Sequence, residues 1–192
     1  MTRYFEMSDD VHVPGRWHLS DPQDRNGRSL DWVFRKGTRV QVDEPIRVAF
    51  NEHAERGRPV DYSELSIESV PVVHARVAAA LLELAPSDVQ IFPVSIGGQP
   101  EQFCIVNVTR TVKCIDDERS EEVQYYAPDC EEVFRRKVGQ YRSVIGMRID
   151  PTKVGDAKVF RPWGWAVAIV VSEEIKDALE RLGTVGVKFE EV

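Results

Sequence analysis

Residues whose types could do chemistry crowd into one stretch, CIVNVTRTVKCIDDERSEE, at positions 104–122. It holds two of the three cysteines, ten positions apart, and ends in a run of acids. Cysteines can bridge, hold a metal or attack as thiolates, and carboxylates can move protons or meet cations. Between positions 101 and 115 there is no Gly, Pro or Asn-Gly pair to force a turn, so the segment reads as one long, bent strand. By the two-residue period, Cys104, Val106, Val108, Arg110, Val112 and Cys114 then share a face. Ten residues at ~3.3 Å each place the two cysteines roughly 33 Å apart if the strand is straight, whereas a disulfide needs Cα atoms within ~7 Å. A bridge requires the chain to reverse near Thr109, which nothing in these residues demands. An odd number of cysteines also fits thiols in a reducing compartment. The expectation is free thiols that pack rather than react.

Other reaction chemistry finds little support. His12, His18, His53 and His74 are scattered, and none pairs with Cys or Glu at helical or knuckle spacing, so no metal site is expected. VGDAKVF and SIGGQP lack the glycine spacing and the lysine of a phosphate-cradling loop. There is no G-x-S-x-G elbow. Carboxylate pairs are plentiful, but any acidic protein offers them. The sequon at Asn107 to Thr109 falls in a predicted strand without export and reads as chance. No catalytic residue and no cofactor is assigned, and the chain is expected not to be an enzyme.

Charge is the stronger signal. The net charge is −7 over 192 residues. Positions 116–132 contain eight acids (Asp116, Asp117, Glu118, Glu121, Glu122, Asp129, Glu131, Glu132) and one base, Arg119, so this segment carries the whole imbalance. Such a field repels nucleic acid and anionic membrane and attracts a basic partner. The plainer reading is a solvated face that keeps the protein soluble. Asp116, Asp117, Glu118, Glu121 and Glu122 are nevertheless the first candidates for partner binding. Trp163 and Trp165 join them: in FRPWGW a glycine separates the two, which would put them on one face of an extended segment. They either close the edge of the core or form an exposed aromatic anchor, a role in which tryptophan is enriched.

The elements that must position these residues read as a single α+β domain over 1–192, with a mostly antiparallel sheet and a few packed helices. Hydrophobic content of 42% and charged content of 30% are those of a globular chain rather than a disordered one. The opening shows no basic region followed by an apolar one, and no apolar run approaches the ~20 residues that cross a bilayer. A soluble, cytoplasmic protein is expected. Positions 1–70 are broken up by Pro and Gly and read as an irregular N-terminal part, with strands only at RYFEM and RVAF. Positions 71–192 form the readable core. PVVHARVAAALLELAPSD gives a helix with Val77, Leu81 and Leu84 on its apolar face, ended by Pro86. VQIFPVSI and the segment after GGQP make a hairpin. SVIGMRI, AKVFR and WAVAIVV read as strands. SEEIKDALERLG is a helix capped by Ser172, with Ile175, Leu179 and Leu182 buried and Gly183 at its stop. VGVKFEEV closes the chain as a strand.

The order of several motifs resembles the myxobacterial-type immunity protein family, found beside toxins of bacterial polymorphic toxin systems. They are the D-x-Q-x-x-P-V strand (Asp88, Gln90, Pro93, Val94), the strand bearing Asn107, and the C-I-D run from Cys114 to Asp116 followed by Ser120. The F-R pair (Phe160, Arg161), the VSEE helix and the closing G-V-x-F-E-E complete the set. The resemblance spans a little over half of the chain, from about Pro71. It implies a non-enzymatic protein that binds and neutralises a cognate toxin, and it carries over no catalytic residue. The acidic segment suits a basic toxin, such as a nuclease whose groove receives phosphates. The alternative is a non-catalytic small-molecule or regulatory binding module with a pocket on the sheet, and a third reading is an enzyme whose site no motif reveals.

Overall fold

The computed structural model describes residues 2–51, 57–65 and 69–192. β1 (Tyr4–Asp9) is followed by β2 (Leu19–Gln23), a single-turn helix α1 (Asp31–Phe34) and β3 (Ile46–Phe50). β4 (Tyr62–Leu65) and β5 (Val70–His74) lead into the helix α2 (Ala75–Leu84). Next come β6 (Val89–Ile96), β7 (Phe103–Val108), the short β8 (Thr111–Val112), β9 (Glu122–Tyr125) and β10 (Tyr141–Ile145). β11 (Val159–Pro162), β12 (Val170–Ser172), the helix α3 (Glu173–Arg181) and β13 (Val187–Glu191) end the chain.

The strands form a five-stranded sheet, β13-β1-β12-β11-β8, a six-stranded sheet, β2-β3-β6-β7-β5-β4, and a two-stranded ribbon of β9 and β10. The α+β class holds. The antiparallel expectation holds only in part, because β3 runs parallel to β6 and β8 runs parallel to β11. Parallel neighbours require a crossover connection. β4, β5 and α2 supply it in the first case, and the whole of 113–158 supplies it in the second.

One core lies between the two large sheets and holds both longer helices through Val77, Leu81, Ile175 and Leu179. A second covers the far face of the six-stranded sheet around Trp17, Phe34 and Phe103, and a third the far face of the five-stranded sheet around Phe160, Ile149 and Cys114. Central strands are therefore buried on both faces. β7 sends Cys104, Val106 and Val108 to the first core and Phe103 and Ile105 to the second, which is why it reads as a continuous apolar run.

The long strand of 101–115 is in fact broken after Val108. There the ladder changes partner: the Thr109 amide bonds the Asp88 carbonyl at 2.7 Å, and the Arg110 carbonyl accepts the Arg161 amide at 2.9 Å. The chain passes from one sheet to the other at this point, so Cys104 and Cys114 enter different cores. All three cysteines are free thiols. Burial pushes the Cys114 thiol up to about 12, which keeps it neutral.

Other expectations shift at their edges. PVVH belongs to β5, and His74 caps α2 by accepting the Arg76 amide at 3.2 Å. The SVIGMRI strand ends at Ile145, before Gly146 with φ +55°. WAVAIVV yields only the short β12, because its first residues sit in turns. Ser172 occupies the N-cap of α3 but makes no side-chain cap bond. The Arg3 carbonyl accepts the Glu173 amide at 3.0 Å and so ties the start of α3 to the segment that opens β1. Leu182 falls at the C-cap and is 36% exposed, so the buried stripe is Ile175 and Leu179 alone. The N-terminal part, expected to hold strands only at RYFEM and RVAF, supplies β1 to one sheet and β2, β3 and β4 to the other.

Candidate partner interface

Asp116 leaves the third core directly after Cys114 and Ile115. Its amide bonds the Arg148 carbonyl at 2.8 Å, and its carboxylate accepts the Arg119 amide at 3.1 Å. Ser120, which is buried, closes the turn: its hydroxyl donates to the Asp116 carbonyl at 2.8 Å and accepts the Arg148 amide at 3.0 Å. The acids are thus carried on a tight, internally bonded turn. Glu118, Glu121 and Glu122 project from it as exposed side chains. Glu121 lies against Gly146, where any side chain would collide with it.

Asp117 differs from its neighbours. One carboxylate oxygen accepts the Tyr141 hydroxyl at 2.7 Å, and the other accepts the Tyr125 hydroxyl. β9 and β10 place Tyr125 opposite Tyr141, and the rings stack with centroids 4.7 Å apart. The register shift between Tyr141 and Ser143 leaves Arg142 as the extra residue of a bulge. Burial, with the bonds to Tyr125 and Asp117, raises the Tyr141 phenol above its usual range; the bond to Asp117 does the same for Tyr125. Both phenols stay protonated and keep donating.

The tryptophans separate instead of sharing a face. Gly164 adopts φ +78° and the Trp165 amide bonds the Pro162 carbonyl at 3.1 Å, so 162–165 is a turn rather than an extended segment. Trp165 packs against the third core, whereas Trp163 is 41% exposed, with the Lys113 ammonium 5.1 Å from its ring centre. Tyr141 links this turn to the acids: its amide bonds the Gly164 carbonyl at 3.1 Å while its hydroxyl holds Asp117. Two features 46 positions apart in the chain, Asp117 and Trp163, therefore flank one tyrosine.

Charge counting that stops at position 132 misses the bases just beyond it. Arg135, Arg136, Lys137 and Arg142 stand in the return path of the same excursion, with no acid among positions 133–142. The excursion is dipolar rather than uniformly acidic. It also exposes Val133, at 74%, and Val138. Apolar residues set among charges in EEVFRRKV were the available signal.

Apart from Asp116 and Ser120, which build the acidic turn, the residues that carry the family motifs lie elsewhere. Asp88, Asn107, Ser120 and Arg161 are among the buried polar side chains of the fold. Asp88 accepts the amides of Lys158 and Val159 at 2.8 and 3.1 Å and so ties the two sheets together. Gln90 bonds both the amide and the carbonyl of Val40, and Asn107 donates to Gln90 and to the Thr38 carbonyl, each at 3.0 Å. Arg161, fully buried, donates to the carbonyls of Ser69 and Ala166.

Among the described residues no group of three or more His, Cys, Asp or Glu side chains is placed to hold a metal ion. His12 and His18 are exposed, and His53 lies outside the described residues. No helix among the described residues is long and apolar enough to cross a membrane. No curated protein matches the chain. The profile of the Immunity protein family (Imm11) matches it over residues 1–192, well beyond the part after Pro71 on which the motifs stand. The chain belongs to this immunity protein family.

Proposed function

We propose that this immunity protein binds and neutralises a cognate toxin whose surface is basic, and that it does so as a stoichiometric binder rather than as a catalyst. The family match over residues 1–192 is the observation that carries the reading. The face offered to the toxin is the acidic turn, with Glu118, Glu121 and Glu122, beside Trp163. Its carboxylates attract a basic partner over several ångströms, and the exposed indole supplies an apolar anchor once contact is made. A nuclease is the toxin class that fits best, because a groove built to receive phosphates also receives carboxylates. The same charges disfavour nucleic acid and anionic membrane as partners, and the protein acts in the cytoplasm.

The test is co-expression with a toxin-like protein that co-purifies with this chain from its native cell. Survival of the cells, together with a complex recovered from the purified pair, is expected. Undiminished killing, with no complex formed, would overturn the proposal.

A further inference from the structure

The 126–140 excursion carries a cleft of about 420 Å³ lined by Tyr125, Tyr126, Asp129, Glu131, Phe134 and Arg142, among others. That volume lies within the ~300–1,000 Å³ of clefts that hold ligands. Its aromatic lining is fixed in place. Tyr126 and Phe134 stack with centroids 5.3 Å apart, and Tyr125 is held by its stack on Tyr141 and its bond to Asp117. Its charged groups are uncommitted. Asp129 and Glu131 are exposed, and their carboxylates meet no donor among the described residues. Arg142, the bulge residue, likewise has no ion partner among them.

We propose that this cleft is the socket for an arginine side chain of the bound toxin, an inference that rests on the immunity reading above. Three observations favour that occupant. Ring faces attract cations, and a planar guanidinium stacks on them as an ammonium cannot. The Tyr126 ring already has a cation beside it, the Lys137 ammonium at 5.7 Å from its centre. Two free carboxylates of the lining offer acceptors for the guanidinium fork, against the repulsion of Arg142 in the lining and of Lys137 beside Tyr126. An apolar side chain would leave both carboxylates desolvated without a partner, which is costly.

The experiment titrates the isotopically labelled protein with N-acetyl-arginine amide, with its citrulline counterpart, which keeps the shape without the charge, and with N-acetyl-glutamate amide. Resonances of Tyr125, Tyr126 and Phe134 are expected to shift with the arginine probe alone, saturating in the millimolar range. The double variant Asp129→Asn, Glu131→Gln should abolish those shifts and weaken toxin binding about tenfold without changing the melting temperature. No response to the arginine probe, an equal response to citrulline, or toxin binding untouched by the double variant would each overturn the socket. A toxin still held tightly by the wild-type protein in those cases leaves the immunity reading standing. A toxin that never binds, beside a cleft that takes the arginine probe, would sink the immunity reading instead.

Discussion

Asp88, Asn107, Ser120 and Arg161 are buried and hydrogen-bonded, while Glu118, Glu121, Asp129 and Glu131 stand in solvent. The first group takes over backbone bonding where the strand ladders stop. Asp88 catches the amides that open β11, Asn107 and Gln90 hold the 38–40 segment, and Ser120 closes the acidic turn. Buried polar groups of this kind must be satisfied, so their types and positions are tightly constrained by the fold. The carboxylates of the second group make no hydrogen bond or ion pair among the described residues. The first group consists of buried polar residues of the family motifs, and this explains how a resemblance can fix fold and general role yet leave the partner unspecified. On the proposed reading, the choice of toxin belongs to the outer group.

The largest effect should come from breaking the inner group. Arg161→Ala removes a buried guanidinium and leaves the Ser69 and Ala166 carbonyls without that donor. A loss of about 3–5 kcal/mol is expected in denaturant unfolding. A midpoint unchanged from wild type would mean that these contacts do not hold the fold.

Part of this division was legible in the sequence. α3, the β6–β7 hairpin, β1 and β13 announce themselves because local turn and capping signals bound them. The break between β7 and β8 does not, because no Gly or Pro makes it. Asp88 and Arg161, far away in the chain, supply the new partners. The acids of 116–122 were visible as composition. The clamp on Asp117 was not, since Tyr125 and Tyr141 lie 8 and 24 positions on, and only the ribbon brings them together. The tryptophan pair was misplaced because Gly164 turns the chain where an extended run was expected.

Next in size is a pH effect on the inner group. Glu64 accepts the Tyr62 hydroxyl at 2.8 Å, and burial raises its pKa from the ordinary 4.5 to about 7; Asp9 adds to the rise, while Tyr62, Ser69 and Arg161 oppose it. Between those two values the folded chain holds a proton that the unfolded chain has released. Its stabilising contribution is complete below pH 4.5 and is lost as pH rises through about 7. Glu64→Gln keeps an acceptor for Tyr62 and has no charge to bury. Melting curves from pH 5 to pH 8 should show the variant gaining on the wild type as pH rises. Parallel curves would place Glu64 at an ordinary carboxylate pKa.

The outer group should separate stability from binding. Glu118→Gln, Glu121→Gln and Glu122→Gln together should shift stability by no more than ~0.5 kcal/mol. Association with the toxin should slow at low salt, and the difference should vanish as the Debye length falls to ~3 Å at 1 M. Asp117→Asn is the contrast, because one oxygen that accepts from a tyrosine is lost. It should cost about 1 kcal/mol and weaken the ribbon that carries the face. Equal association rates at every salt would return the three glutamates to a solvated surface.

The smallest effect is also the finest probe of the comparison, because each cysteine reports on one region. Cys104 and Cys114 are buried, and burial raises both thiols; Cys130 is half-buried and lines the cleft. The thiolate is the form that reacts, so Cys130 should label first in the native protein, while unfolding should expose three thiols with or without reductant. Fewer than three without reductant would reveal a bridge that the two separate cores forbid. Adding the toxin should slow labelling of Cys130 and leave the other two unchanged, since an arginine seated beside Tyr126 covers the same cleft. Protection of Cys104 instead would mean that the toxin grips and stabilises the sheets rather than the excursion. The division between an inner scaffold and an outer recognition surface would then fail.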